Sequence, residues 1–71
     1  MAKYTVIIEK AGKNYSAYCP DVPGCVAAAA TVEETIALMK DSIKAHLELM
    51  KEEEMEIPEP TTQSVNIEVT V

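Results

Sequence analysis

The chain has 71 residues, of which 48% are hydrophobic, and its twelve acidic residues against six lysines give a formal net charge of −6. This length leaves room for one hydrophobic core, so we expect a single domain over residues 1–71, and the marginal core of so small a domain predicts self-association into an oligomer. The negative charge disfavours direct binding to nucleic acid or to anionic membranes, and no apolar run approaches the roughly 20 residues that span a bilayer.

Two alternating segments near the N-terminus predict a β-hairpin. Residues 4–9 are rich in β-branched and aromatic side chains, which favour a strand, and residues 15–19 repeat the alternation. The connecting residues 10–14 contain glycine and asparagine, which tolerate the positive φ of a tight turn. The side chains that share one face are Tyr4, Val6 and Ile8 on the first strand and Tyr15, Ala17 and Cys19 on the second.

A loop containing proline and glycine ends the hairpin. Residues 20–24 have the sequence Pro-Asp-Val-Pro-Gly, and the prolines lack the N–H donor that a strand needs. The following residues 25–30 contain four alanines, which by propensity favour a helix. Their position between a Pro-Gly turn and a helix start favours a third strand instead, with small side chains that let a helix lie close.

A helix is predicted from Val32 onward. Thr31 and Glu34 match a capping box, in which the threonine hydroxyl accepts from the amide of residue 34 and the glutamate reaches back to the amide of the cap. Residues 52–54 are glutamates at the helix C-terminus, where the macrodipole disfavours negative charge, so we expect fraying near Lys51. One apolar stripe, with spacings of three and four residues, comprises Ile36, Met39, Ile43, Leu47 and Met50.

The C-terminal part of the chain predicts a connector and a last strand. Residues 57–62 contain two prolines and favour an extended connector. Residues 65–71 alternate strictly, with four β-branched side chains on one face, which predicts a strand whose exposed edge could pair with that of a second copy. The predicted fold class is therefore α+β in the order β-β-β-α-β, with three antiparallel strands, one helix packed on the sheet and a C-terminal fourth strand.

Few residues could support catalysis or bind a metal. His46 is the sole histidine, and its position beside the apolar stripe favours a packing role. Cys19 and Cys25 match neither a CxxC redox pair nor a zinc knuckle, so we prefer reduced, packed thiols to a zinc site or a disulfide. Residues 52–54 are better explained as a solvated helix end than as a cation site. We expect no catalytic residue, no metal and no cofactor, in a chain that lacks a secretory signal and works in the cytoplasm.

The loop at residues 20–24 has two interpretations that the sequence leaves open. It could be a rigid crossover between strands, in which Asp21 bonds local amides, or a recognition surface, and it could serve as both. The candidate partner-binding residues comprise this loop and the tyrosine before it, namely Tyr18, Pro20, Asp21, Val22, Pro23 and Gly24.

Several stretches form a pattern together: Lys-Tyr-Thr-Val-Ile-Ile-Glu at residues 3–9, Pro-Asp-Val-Pro-Gly-Cys at 20–25, Thr-Val-Glu-Glu at 31–34 and Ile-Pro-Glu-Pro at 57–60. This pattern resembles the HicB-like antitoxin family over residues 3–60. The resemblance implies a partial RNase H-like fold. It also implies a partner, a HicA toxin, which is a small basic ribonuclease with a double-stranded-RNA-binding fold that the antitoxin neutralises by covering its catalytic surface.

The sequence departs from the family pattern at two places. Many relatives continue into a ribbon-helix-helix or helix-turn-helix domain, whereas this chain ends at Val71, so we do not expect it to bind an operator. Relatives often carry a glycine before the helix start, where this chain has alanines at residues 28–30, so the turn into the helix is expected to differ.

Two other functions compete with toxin neutralisation. One is an orphan oligomeric protein with a structural or regulatory role and no toxin partner, and the other is a small enzyme that uses the acidic residues and His46. A neighbouring gene for a basic protein of roughly 60–90 residues would favour the antitoxin, because opposite charges steer association.

Overall fold

The computed structural model describes residues 2–71, and this part of the chain contains three strands and one helix. The strands form one antiparallel sheet in the order β1-β2-β3, with the helix following them in the chain, so the predicted α+β arrangement is confirmed. The elements are β1 (Ile7–Ala11), β2 (Asn14–Tyr18), β3 (Val26–Ala29) and α1 (Val32–Glu52).

The hairpin begins three residues later than the alternation predicts. Ile7 pairs with Tyr18, the last residue of β2, and Ala11 pairs with Asn14 at the turn. Residues 4–6 therefore have no neighbouring strand to pair with, although their alternation continues that of β1. Gly12 lies in the two-residue turn with a φ of 63°, a conformation that glycine adopts without the steric cost of a side chain.

The core lies between the inner face of the sheet and α1. The inner row of Ile8, Ala17 and Ala27 crosses the three strands in register, and the alanine side chains of β3 leave room for the helix to pack on β2 and β3. The fully buried side chains are Ala17, Cys19, Val22, Cys25, Thr35 and Met39. Half-buried residues that pack against them are Tyr4, Val6, Ile8, Ala27, Ile43, Leu47 and Met50.

This packing confirms most of the predicted apolar faces. Met39 is buried, and the stripe residues that follow it along the helix pack against the core. Ile36 differs, since 51% of its surface is exposed and its side chain borders an open groove.

The helix begins with the predicted cap. The Thr31 hydroxyl accepts a hydrogen bond from the Glu34 amide at 3.1 Å, and the cap residue has an extended backbone with φ −130°. The reciprocal bond differs from the expected capping box, because the Thr31 hydroxyl donates to the Glu34 carboxylate at 3.0 Å. The buried Thr35 hydroxyl donates to the Thr31 carbonyl at 2.7 Å, which satisfies the one buried polar side chain of the core in residues 2–71.

The helix ends one residue beyond Lys51 in a Schellman motif. The Met55 amide donates to the Met50 carbonyl at 2.8 Å, and the Glu54 amide donates to the Lys51 carbonyl at 3.2 Å. Glu54 takes a left-handed conformation with φ 56°, at the position where helices usually have glycine.

The predicted fourth strand is not present in the structure of residues 2–71. Residues 65–71 have the alternating sequence of a strand but pair with no strand of the sheet in residues 2–71. The exposed fraction of the side chain is 78% for Val65 and 76% for Ile67. Alternation determines which side chains share a face, but a strand also needs a neighbouring backbone, and none lies beside this segment within residues 2–71. The radius of gyration is 13.8 Å, compared with about 11 Å for a compact domain of this length, because the C-terminal segment projects from the domain.

Candidate partner-binding site

The loop that joins β2 to β3, here called the Pro-Gly loop (residues 20–24), is clamped at its base. The Cys19 amide donates to the Cys25 carbonyl at 3.2 Å, the Val22 amide donates to the Cys19 carbonyl at 3.2 Å, and the Cys25 amide donates to the Val22 carbonyl at 3.3 Å. Val22 itself has no exposed surface and lies in the core. The loop therefore has a fixed shape that its own backbone and one buried side chain maintain.

The structure divides the predicted site residues into two groups. Pro20, Pro23 and Gly24 are exposed, and Tyr18 exposes 44% of its surface, so these residues are open to a partner. Val22 is buried, so it is not open to a partner as predicted. Its side chain supports the loop from within the core instead. A valine between two prolines gives no sign of this in the sequence, because loop residues have no periodicity that tells inward from outward side chains.

Asp21 attaches the C-terminal connector to the Pro-Gly loop. Its carboxylate accepts from the Thr61 hydroxyl at 3.1 Å, from the Thr62 amide at 2.9 Å and from the Thr62 hydroxyl at 2.9 Å. The Thr62 amide is the main cause of a pKa for Asp21 below its ordinary value, and the hydroxyls act in the same direction while partial burial opposes them. Asp21 thus bonds a segment 40 residues away instead of the local amides that the sequence suggested.

His46, on α1, lies next to Gly24 of the Pro-Gly loop. Its Nδ1 lies 3.1 Å from the Ser42 carbonyl oxygen, so this nitrogen donates the hydrogen bond. Gly24 has a φ of 87°, and a Cβ atom built at this glycine would lie 3.4 Å from His46 Nε2. That distance is ordinary van der Waals contact, so the positive φ is what favours glycine at position 24.

The two cysteines are free thiols that belong to the core. Cys19 is 3% exposed and Cys25 is 1% exposed. Burial is the main cause that raises the pKa of Cys25, which keeps it protonated and unreactive. Within residues 2–71, no group of three or more histidine, cysteine, aspartate or glutamate side chains is placed to hold a metal ion. No helix in the same part of the chain is long and apolar enough to cross a membrane.

An apolar row lies on the sheet face opposite the helix, and two of its three residues are exposed while Ile7 is half-buried. Ile7, Tyr18 and Val26 pair across the three strands, and we call them the outer row. Val26 exposes 68% of its surface. Tyr18 ends β2 and Val26 begins β3, so the outer row lies at the same end of the sheet as the Pro-Gly loop.

Val26 was not among the predicted site residues. The signal that could have found it is the alternation of β3, since a valine directly after a buried cysteine must point to the opposite face of the sheet. Together the outer row and the exposed prolines form an apolar surface on a rigid support, which is typical of a contact with another protein.

These features define a small α+β domain with a surface suited to binding and with every buried side-chain polar atom of the described residues hydrogen-bonded. The family model of the HicB-like antitoxins of bacterial toxin–antitoxin systems matches residues 4–69. The chain belongs to this family.

Two similar proteins cover nearly the whole chain. A 14.9 kDa protein from the rep–hol intergenic region of Haemophilus phage HP1 is 38% identical over 65 residues, which are 89% of this chain and 49% of the phage protein. A UPF0150 protein from the archaeon Thermoplasma acidophilum is 32% identical over 66 residues, which are 92% of this chain and 96% of the archaeal protein. The chain thus spans about half the length of the phage relative and almost all of the archaeal one.

Proposed function

We propose that this chain is a non-catalytic antitoxin that neutralises a HicA-type, mRNA-cleaving toxin by covering the toxin's active surface in the cytoplasm. The observation that carries the proposal is the family match over residues 4–69. This role requires a contact surface and no catalytic residues. The clamped Pro-Gly loop and the outer row supply such a surface.

The charge of the chain supports a basic partner. The formal net charge is −6 and the sequence contains no arginine, so the field of the domain attracts a basic protein and repels nucleic acid. A toxin that binds RNA needs positive charge around its active surface, because the phosphate backbone dominates RNA affinity. The opposite charges then accelerate association and orient the two proteins before contact.

The proposed contact combines the outer row with the exposed prolines of the Pro-Gly loop. Pro20 and Pro23 lie on a backbone that three hydrogen bonds and the buried Val22 already fix. A preorganised surface loses little conformational entropy on docking, so more of the contact energy appears as affinity. Asp21 takes part indirectly, because it holds the connector at Thr61 and Thr62 against the loop.

A matched pair of substitutions tests this contact. Val26→Lys places a positive charge in the outer row, and Leu38→Lys places the same charge at a helix residue that is 48% exposed on another surface. We expect Val26→Lys to weaken toxin binding by at least about tenfold, because a central apolar contact is lost and the new charge repels a basic partner. Leu38→Lys should leave the affinity within about threefold of the original value.

Titration calorimetry against the proposed partner, a cognate HicA-type toxin, measures both variants, with thermal melts to verify that each remains folded. Equal affinities for the two variants and the unmodified chain would remove the outer row from the interface. Loss of binding in Leu38→Lys alone would move the interface to the helix. A chain that binds no toxin under any condition would contradict the antitoxin proposal itself.

A further inference from the structure

The sheet of residues 2–71 has two free edges, which differ in how well they are protected against a further strand. β1 carries the exposed charges of Glu9 and Lys10. Residues 25–30, which include β3, contain neither a charge nor a proline, although these are the devices that usually block an exposed edge. The edge of β3 is therefore the one at which a further strand can pair.

The register shows which backbone groups of β3 face this edge. The Cys19 amide donates to the Cys25 carbonyl at 3.2 Å, so these two residues are a hydrogen-bonded pair at the end of the β2–β3 ladder. Hydrogen-bonded and non-hydrogen-bonded pairs alternate along antiparallel strands, and the next pair joins Tyr18 to Val26. The N–H and C=O groups of Val26 and Ala28 therefore point away from β2, towards the free edge.

We propose that the toxin adds an extended segment as an additional strand at the free edge of β3. This inference rests on the antitoxin function proposed above. The amides of Val26 and Ala28 would donate to carbonyls of the added segment and their carbonyls would accept from its amides, as in other complexes that form by strand addition. Val26 also belongs to the outer row, so the added strand would extend the proposed contact from the face of the sheet onto its edge.

The charges around this edge favour a segment from a basic protein. Residues 14–39, which include β2, the Pro-Gly loop, β3 and the first turns of α1, contain three acidic residues and no lysine. Two of the three, Glu33 and Glu34, are exposed in the first turn of the helix that follows β3. A lysine or arginine at the end of the added strand would meet this negative charge.

The same charges disfavour the two occupants that the chain itself offers. A second copy would bring its own lysine-free, acidic residues 14–39 to this edge, so like charges would meet. The C-terminal residues 65–71 have one charged residue, Glu68, which would approach Glu33 and Glu34.

Amide hydrogen exchange followed by NMR tests the pairing, with the full chain alone and in complex with a cognate HicA-type toxin. In the free chain we expect the amides of Val26 and Ala28 to exchange quickly, because they face solvent and not β2. Binding of the toxin should slow the exchange of both at least about tenfold. The amides of Ile8 and Lys10, which the same alternation points to the free edge of β1, should not change and serve as the control.

The outcomes separate this inference from the proposed function. A complex in which Val26 and Ala28 exchange as they do in the free chain would overturn strand addition and leave the antitoxin function in place. Slow exchange of both amides in the free chain would mean that the chain itself occupies the edge, and would also overturn strand addition. The absence of any complex would overturn both proposals.

A matched pair of substitutions measures what the edge contributes to affinity. Ala28→Pro removes an N–H that faces the partner and not β2, which an edge strand tolerates, whereas Ala28→Val adds a side chain of similar size and keeps the N–H. We expect Ala28→Pro to weaken toxin binding at least about tenfold and Ala28→Val to stay within about threefold of the unmodified chain. Thermal melts verify folding, and the exchange experiment decides the question if Ala28→Pro does not fold. Equal affinities of two folded variants would overturn the proposal.

Discussion

Asp21 shows how one side chain can connect distant parts of a small domain. The sequence suggested that it either bonds its own loop or faces a partner, and the structure gives a third arrangement in which it holds Thr61 and Thr62. No local pattern could have identified partners 40 residues away, since turn rules describe only bonds to nearby amides.

Removal of the Asp21 carboxylate should therefore loosen the C-terminal connector. The folded-state pKa of Asp21 is lowered, so its contribution to stability is present above the pKa of the unfolded chain, which is about 4, and is lost as the pH falls through the folded-state pKa. We expect Asp21→Asn to lower the melting temperature at pH 7 and to differ less from the unmodified chain near pH 2. Asp41→Asn, at an exposed helix residue, is the control. A melting temperature that is unchanged at pH 7 would mean that these bonds do not contribute to stability.

Replacement by alanine should destabilise the domain by different amounts at its two glycines. Gly12 has a φ of 63° with nothing near its missing side chain, whereas Gly24 has a φ of 87° and would place a Cβ atom 3.4 Å from His46 Nε2. We expect Gly12→Ala to cost about 1 kcal/mol in the free energy of unfolding and Gly24→Ala about 2 kcal/mol, because a φ of 87° lies outside the small left-handed region that residues with a Cβ atom can adopt, whereas a φ of 63° lies within it. Chemical denaturation measures both values. His46→Ala combined with Gly24→Ala should recover none of the second cost, because the added Cβ atom would make only ordinary van der Waals contact with His46. Equal costs for the two glycines would contradict the difference in backbone strain.

At the scale of secondary structure, local patterns predict those elements whose stability is local. The capping residues fixed the start of α1 at Val32, and the alternation around Gly12 predicted the hairpin. The strand at residues 25–30 could be predicted only from its position between a Pro-Gly turn and a helix start, since the propensity of its alanines alone favours a helix. The likeness to RNase H stays a prediction from the resemblance.

The predicted last strand is absent from residues 2–71 because a strand needs a neighbouring backbone to pair with. Residues 65–71 have the clearest alternation in the chain, but alternation says nothing about where a partner backbone lies.

The candidate site was predictable from the sequence only in part, because some of its residues are placed by long-range packing. Exposed loop residues were found by their prolines, while the buried position of Val22 and the outward position of Val26 depend on packing and register.

The end of α1 allows a stabilising substitution. Glu54 has a φ of 56°, which costs a residue with a Cβ atom more than it costs glycine, and its charge lies near the negative end of the helix dipole. We expect Glu54→Gly to raise the free energy of unfolding by about 0.5–1 kcal/mol. Glu53→Gly is the matched control, because Glu53 has an ordinary φ of −89° and glycine there should destabilise the domain. Denaturant unfolding compares the two, and a loss of stability in Glu54→Gly would show that the Schellman motif does not form in solution.

At the scale of the whole molecule, the proposed toxin contact and the core lie on opposite faces of the sheet. The outer face holds the outer row, with the Pro-Gly loop at the same end of the sheet, and the inner face packs on the helix. The buried core has only five hydrophobic residues among those described, so additional burial in a complex would add substantially to a marginal stability.

Toxin neutralisation is tested most directly by a titration of ribonuclease activity. The proposed partner, a cognate HicA-type toxin, is assayed on RNA with increasing amounts of the full chain, and the chain alone is assayed with magnesium or manganese. We expect the activity of the toxin to fall linearly to background at a fixed molar ratio, and the chain alone to cleave no RNA. The assay uses a chain concentration well above the dissociation constant typical of a specific complex. Toxin activity that persists at about tenfold molar excess of the folded chain would contradict the antitoxin function. Cleavage of RNA by the chain itself would contradict it as well.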